Sequence, residues 1–184
     1  MDLFTLNFLL SIGGLVLLAL TIILFVDYFC YRSTFYNRFV KFFVWQLIVL
    51  TTVGSVVLSL VYSEYFGFIP CSLCWLQRIA LYPQALMSLM AVRTKESVFF
   101  PLYSIGLSVF GLGVAVYHYI YQMIPKDVVE GGMILPCLAD GSADCATKII
   151  DQFGFITFPF LSAVTFAFLI ALYLNLRRGD LSTT

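Results

Sequence analysis

Five long apolar stretches, separated by polar breaks, organise the chain: residues 3–26, 42–62, 72–92, 98–122 and 155–176. Each supplies the roughly 20 residues that a helix needs to cross a bilayer. The pattern predicts an all-α integral membrane protein. Connections are short except for residues 123–154, so no soluble domain is expected. The first stretch begins "MDLFTLNF", without a basic lead or a small-residue cleavage site, and is expected to stay as a helix rather than be removed as a signal. Internal repeats, low-complexity tracts and Gly/Ser linkers are absent from the sequence.

Polar and small positions inside the stretches carry more detail. In the fourth, Ser104, Ser108, Gly111 and Ala115 recur at helical spacing and form a seam that lets another helix approach closely. His118, the single histidine, extends that seam and is expected to face the bundle interior near one membrane surface. It reads equally as a hydrogen-bonded packing residue or as part of a site. Tyr117, Tyr119 and Tyr121 beside it read as an interfacial aromatic belt. Pro83 lies within the third stretch, where it would bend the helix or simply be tolerated.

Composition agrees with a membrane location. The chain is 61% hydrophobic and 11% charged, with mean hydropathy +0.99, whereas soluble domains approach about 25% charged residues. The zero formal net charge hides a separation by side. Arg32, Arg38, Lys41, Arg93, Lys95, Arg177 and Arg178 all fall on one side of five spans, which identifies that side as cytoplasmic. The N terminus, the "CSLC" stretch and the long connection then lie outside, with the C terminus inside. No nucleic-acid partner is expected.

Four of the five cysteines fall on that outer, oxidising face: Cys71, Cys74, Cys137 and Cys145. Cys30 falls at the cytoplasmic end of a span and reads as a small packing residue. Structural staples are one reading of the four. A Cys-x-x-Cys pair opening a helix, however, closes a small ring that adds little stability, while the helix N-terminus lowers a thiol pKa. Exchange chemistry is favoured. Cys71, Cys74 and Arg78 stand at i, i+3 and i+7, on one helix face, with Arg78 about 6 Å of rise below Cys74. A cation inside the hydrocarbon boundary marks a functional site unless it snorkels to headgroups. A metal site is not expected, because the seven residues between Cys137 and Cys145 exceed zinc-knuckle spacing. Haem attachment would require histidine where Trp75 stands.

The outer connection carries two patterns. In "ILPC", Pro136 biases Leu135 toward extended backbone, which suits a segment lying in a partner's groove. After Cys145, "ATKIIDQFGF" sets Ile149, Ile150 and Phe153 against Lys148, Asp151 and Gln152. That amphipathic pattern is expected to lie on the membrane surface and tether Cys145 near Cys71 and Cys74.

Three elements together resemble the bacterial disulfide bond formation protein B (DsbB) family, particularly its compact BdbC-type members: "CSLCWLQRI" at 71–79, the histidine of "YHYIYQMIP", and "LPCLADGSADC". Their order matters, since in vitamin K epoxide reductase relatives the loop pair precedes the Cys-x-x-Cys. The resemblance implies a four-helix transmembrane bundle at 42–184 with an outer redox loop at 123–154; the additional N-terminal helix and basic connection at 1–41 depart from the family's four spans. It also implies a protein-disulfide oxidoreductase of the bacterial cell (inner) membrane that reoxidises a DsbA-like thioredoxin-fold oxidase and passes electrons to quinone, either ubiquinone or menaquinone. By the same resemblance, Cys137 engages the partner, Cys145 is its disulfide mate, Cys71 exchanges with the loop pair, and Cys74 reacts with quinone. Arg78, His118, Trp75 and Gln77 are assigned to quinone binding. Two other readings stay open: a reductase running the same relay outward, and a non-enzymatic assembly protein stapled by two permanent disulfides.

Overall fold

The structure, a computed structural model, describes residues 3–31, 34–96, 98–124 and 145–181. Helix α1 spans Leu3–Val26 and ends in a π-helical turn at Asp27–Tyr31. Helix α2 spans Thr34–Leu60 and likewise closes in a π-helical turn, Val61–Tyr65. Helices α3 (Ser72–Thr94), α4 (Phe99–Met123) and α5 (Phe158–Leu181) follow. In hydrocarbon every backbone N–H and C=O needs an internal partner, which an apolar segment satisfies only as a helix or in a closed barrel. All five predicted spans are therefore helices. Four are long and apolar enough to cross a membrane by composition alone. The remaining one, α3, has the length but carries Gln77, Arg78 and Gln84.

Helix α5 is the centre of the bundle, packing on α4, α1 and α2. Its Phe166, Leu169, Leu172 and Tyr173 are fully buried among Ile48 of α2, Ala80 of α3 and Ala115 of α4. The small-residue seam is the contact surface expected of it: Ser104, Ser108, Gly111, Ala115 and His118 are all buried. A Cβ on Gly111 would come within 2.4 Å of the Phe166 ring, so only glycine admits that helix approach. Apolar burial drives association weakly where lipid is the competing solvent, which leaves close packing and polar links to set the register.

Two polar links do so here. Buried Gln84 accepts hydrogen bonds on Oε1 from Ser108 Oγ of α4 and Tyr173 OH of α5, both at 3.0 Å, while its Nε2 donates to the Ala80 carbonyl at 2.9 Å. Thr52 of α2 and Ser88 of α3 share a hydrogen bond of 2.9 Å. Helix α3 is continuous through Pro83, whose ring lies on its exposed face.

The N-terminal helix is part of the bundle. Gly14 lies against Leu161 of α5, where an added Cβ would meet Leu161 Cδ2 at 2.2 Å, whereas Gly13 faces open space. Phe4, Phe8, Leu9 and Val16 form an exposed apolar face on α1 that suits lipid contact.

The segment 145–157 departs from the expected surface-lying amphipathic pattern. It is irregular, and Ile150 is fully buried against Leu6 of α1 and Tyr62, with Ile149 partly buried in the same cluster. Phe153 is instead 60% exposed, in a reverse turn closed by paired hydrogen bonds between Gln152 and Ile156. Positive φ at Phe153 (55°) and Gly154 (76°) makes that turn. The physical reason is a ready cavity wall: the ends of α1 and α2 present an apolar surface that Ile150 covers, so the two isoleucines turn inward and Phe153 does not. Cys137 and the "ILPC" stretch lie outside the described residues.

Candidate active site

The site is built at the head of α3. Gly67, with φ 72°, follows the π-helical turn that ends α2, and residues 68–71 lead irregularly into the helix. Cys71 is the N-cap residue in extended conformation, and its Sγ accepts the Cys74 backbone N–H at 3.4 Å. A side-chain acceptor at this position satisfies a helix N–H that would otherwise be unpaired, which fixes where the sulfur points. One turn on, Cys74 Sγ lies 2.9 Å from Cys71 Sγ. Both are free thiols, whereas Cys145 is disulfide-bonded.

His118 of α4 joins the two sulfur-bearing segments. Its Nε2 is 3.9 Å from Cys71 Sγ and 3.1 Å from the Cys145 carbonyl oxygen. Gln77 presents its Nε2 amide to His118 Nδ1 at 3.2 Å. Nδ1 is thereby the acceptor, and the imidazole proton resides on Nε2, aimed at the Cys145 carbonyl and the Cys71 sulfur. Gln122, one helical turn beyond His118, adds a second clamp: its Nε2 donates to the carbonyls of Cys145 (3.1 Å) and Thr147 (3.3 Å). Cys71, His118 and Cys145 are all buried.

This surrounding acts on Cys71, which stands just ahead of the span. Its thiol is held well below the usual thiol range, chiefly by the hydrogen bond from Cys74; burial opposes this, and the His118 N–H and the Cys74 backbone N–H add to the lowering. Cys71 is thus the sulfur poised as thiolate at the meeting point of the two segments.

Arg78 takes a different direction. Its Nε donates to Ser59 Oγ of α2 at 2.9 Å and Nη2 to the Ser59 carbonyl at 3.0 Å. Its guanidinium carbon stands 5.2 Å from the centre of the Trp75 ring. Two of the five N–H donors that a guanidinium carries are used in this way. No carboxylate pairs with it among the described residues. Trp75 and Ile79, next to it on α3, are 52% and 58% exposed.

The structure thus separates the residues that sequence reasoning grouped for one ligand. His118 and Gln77 stand with the sulfurs, while Arg78, one turn beyond Cys74, bonds Ser59 of α2 and pairs with the half-exposed ring of Trp75. Residues not foreseen are Ser59, Gln122, Asn7 and Tyr62. Of these, only Gln122 carried a sequence signal, its i+4 spacing from His118 on a buried face. Cys71, Cys74 and His118 could also ligate a metal ion, their ligand atoms lying within 4.8 Å of one another.

The geometry brings a thiol pair, a disulfide-bonded cysteine and a histidine to one end of a membrane bundle. Residues 41–176 match the family model for disulfide bond formation protein DsbB. The chain belongs to the DsbB family. A disulfide bond formation protein B of Bacillus subtilis, derived from the SPbeta prophage, is 38% identical over 142 residues, covering 76% of this chain and 88% of the relative. The disulfide bond formation protein C of the same organism is 34% identical, with 79% of this chain covering 98% of its length. A probable disulfide formation protein of Oceanobacillus iheyensis is 37% identical over 65% of this chain and 79% of its own. No solved structure matches. As a DsbB-family member, the chain is a multi-pass membrane protein of disulfide bond formation. Helix α1 lies outside the matched residues.

Proposed function

We propose that the protein is a quinone-linked thiol oxidase of the bacterial cytoplasmic membrane, which reoxidises a thioredoxin-fold dithiol protein on the outer face. The observation that carries this reading is the convergence of Cys71 and Cys145 on His118, with the Arg78 guanidinium one turn beyond Cys74 and paired with no carboxylate among the described residues. In the first step the partner's dithiol reduces the loop disulfide of Cys145, and two electrons and two protons move from partner to loop. Cys137 is the expected mate of Cys145 and the sulfur that engages the partner.

The second step is exchange within the chain. With Cys71 and Cys74 joined, the Cys145 thiolate attacks Cys71 Sγ and Cys74 leaves as thiolate; attack by the second loop thiol on Cys145 then re-forms the loop disulfide and releases Cys71 as thiolate. The His118 N–H stabilises the Cys71 sulfur as charge develops there, and Gln77 keeps the imidazole in that tautomer. Gln122 holds the Cys145 carbonyl, so the loop sulfur stays within reach of α3.

A quinone, when bound, supplies the two-electron, two-proton acceptor that a dithiol pair alone lacks. The residues present fit such a group: Trp75 and Ile79 offer exposed apolar surface at the lipid boundary, and Arg78 retains three N–H donors for a carbonyl oxygen. Arg78 and Trp75 would hold it, with Cys74 the nearer sulfur by its position one turn above Arg78. Ser59 orients the guanidinium and costs it no charge.

The direct test measures oxidation of a reduced thioredoxin-fold dithiol protein by the purified chain, with and without added ubiquinone or menaquinone, for the native protein and Cys74→Ser. The reading predicts turnover that requires quinone and is lost in the variant. Quinone-independent turnover would overturn it.

A further inference from the structure

We infer that Asn7 of α1 is a positioning residue for exchange between Cys145 and Cys71, a role that rests on the exchange reading above. The helix that bears it lies ahead of the family-matched residues 41–176, and 79% of this chain suffices to cover 98% of the Bacillus subtilis protein C. A membrane anchor needs no amide near its outer end. Yet Asn7 is buried, and both ends of its side chain are used. Nδ2 donates to the Ile149 carbonyl at 3.4 Å, and Oδ1 accepts the hydroxyl of Tyr62.

Tyr62 is itself fixed. It sits in the π-helical turn that ends α2, buried, with the Phe158 ring edge-on at 4.7 Å and Phe66 and Phe68 at 5.8 and 6.3 Å. The Asn7 amide is therefore aimed by a rigid group on one side and holds the chain on the other. Ser11 reinforces α1 there, bonding the Asn7 carbonyl at 2.7 Å, and the close fit of Gly14 on Leu161 sets how near α1 approaches.

The segment after Cys145 is consequently pinned at two places. Gln122 and His118 hold the carbonyls of Cys145 and Thr147 from α4, and Asn7 holds Ile149 from α1. Only three residues separate Cys145 from Ile149, so a released Ile149 would let the loop sulfur drift by several ångströms, on the scale that governs reactive encounter. The carbonyl of Ile149 faces α1 because Ile150 is driven into the apolar cluster beside it, leaving a polar group that Asn7 satisfies.

The test compares Asn7→Leu and Tyr62→Phe with the native residues in the full-length protein, in a Cys137→Ser background where the Cys71–Cys145 link cannot be resolved by Cys137. Two rates are read by quenched alkylation and mass spectrometry: formation of that link, and direct reduction of the Cys71–Cys74 disulfide by a small soluble dithiol. The inference predicts that Asn7→Leu slows link formation about tenfold, with Tyr62→Phe intermediate, while the soluble dithiol reacts at the native rate. A merely structural role would move both rates together or neither. Link formation at the native rate in both variants overturns the inference, as does an equal fall in both rates. If Asn7→Leu does not fold, Tyr62→Phe decides alone. Failure of the link to form even with Asn7 and Tyr62 present overturns the exchange reading instead.

Discussion

His118 stands between the segment that carries Cys145 and the head of α3, its Nε2 within 3.1 Å of the Cys145 carbonyl and 3.9 Å of the Cys71 sulfur. One donor serving both partners means that loop position and sulfur reactivity are set by the same side chain. Replacing it with phenylalanine keeps the ring volume and removes the donor. His118→Phe is expected to slow exchange between the loop and the Cys71–Cys74 pair by about 100-fold, the low end of the range for losing a positioned acid–base group. Stopped-flow reduction of the loop disulfide, followed by trapping of Cys71, measures this. A rate within twofold of native would remove His118 from the mechanism.

The depressed ionisation of Cys71 sets a pH dependence. A thiol whose folded pKa lies below its unfolded value favours the folded state above the unfolded pKa, and that contribution disappears as pH falls through the folded pKa. In the reduced protein, alkylation of Cys71 by iodoacetamide should therefore persist at pH values well below the roughly 8.5 of a free thiol. Because the Cys74 hydrogen bond is the largest cause, Cys74→Ala, which removes the donor, should weaken the lowering and His118→Phe should move it less. A native profile like that of a free thiol would contradict the assignment.

Arg78 is predicted to act on quinone and not on exchange. Arg78→Lys keeps the charge but loses the fork that bonds Ser59 and the guanidinium that stands 5.2 Å from the Trp75 ring centre. The apparent KM for quinone should rise about tenfold, worth about 1.4 kcal/mol, with loop exchange unchanged. A fall in exchange rate with KM unaltered would place the guanidinium in the sulfur chemistry instead.

Much of this arrangement was legible in the sequence. The five spans follow from run length, and the seam through Ser108 and Gly111 from helical spacing, because both depend on local periodicity. Cys71, Cys74 and Arg78 share a helix for the same reason. Periodicity does not say which neighbour a long side chain selects. Arg78 turns to Ser59 because α2 offers a hydroxyl and a carbonyl within reach, and His118 turns to the sulfurs because Gln77 and Cys145 bracket its ring. The fate of 148–155 was also illegible, since a pattern of alternating apolar residues fits a lipid surface and a protein cavity equally well.

Ile150 and Phe153 separate those two surfaces experimentally. Ile150 is fully buried in the cluster with Leu6 and Tyr62, and Phe153 is exposed. Truncation of a buried isoleucine to alanine costs roughly 2–5 kcal/mol where the site cannot collapse. Ile150→Ala should therefore release the segment and slow exchange several-fold, whereas Phe153→Asp should leave exchange near native. The opposite order, measured as single-turnover oxidation of the loop dithiol, would restore a membrane-surface tether.

The convergence of Cys71 and Cys145 at His118 is tested most directly by mapping the disulfide that accumulates when Cys137→Ser protein, whose Cys145 has lost its expected mate, is allowed to react with its own oxidised Cys71–Cys74 pair. Mass spectrometry of the quenched, alkylated protein should find Cys71 joined to Cys145, with Cys74 alkylated. Cys74 joined to Cys145, or no link between the two segments, would contradict the account.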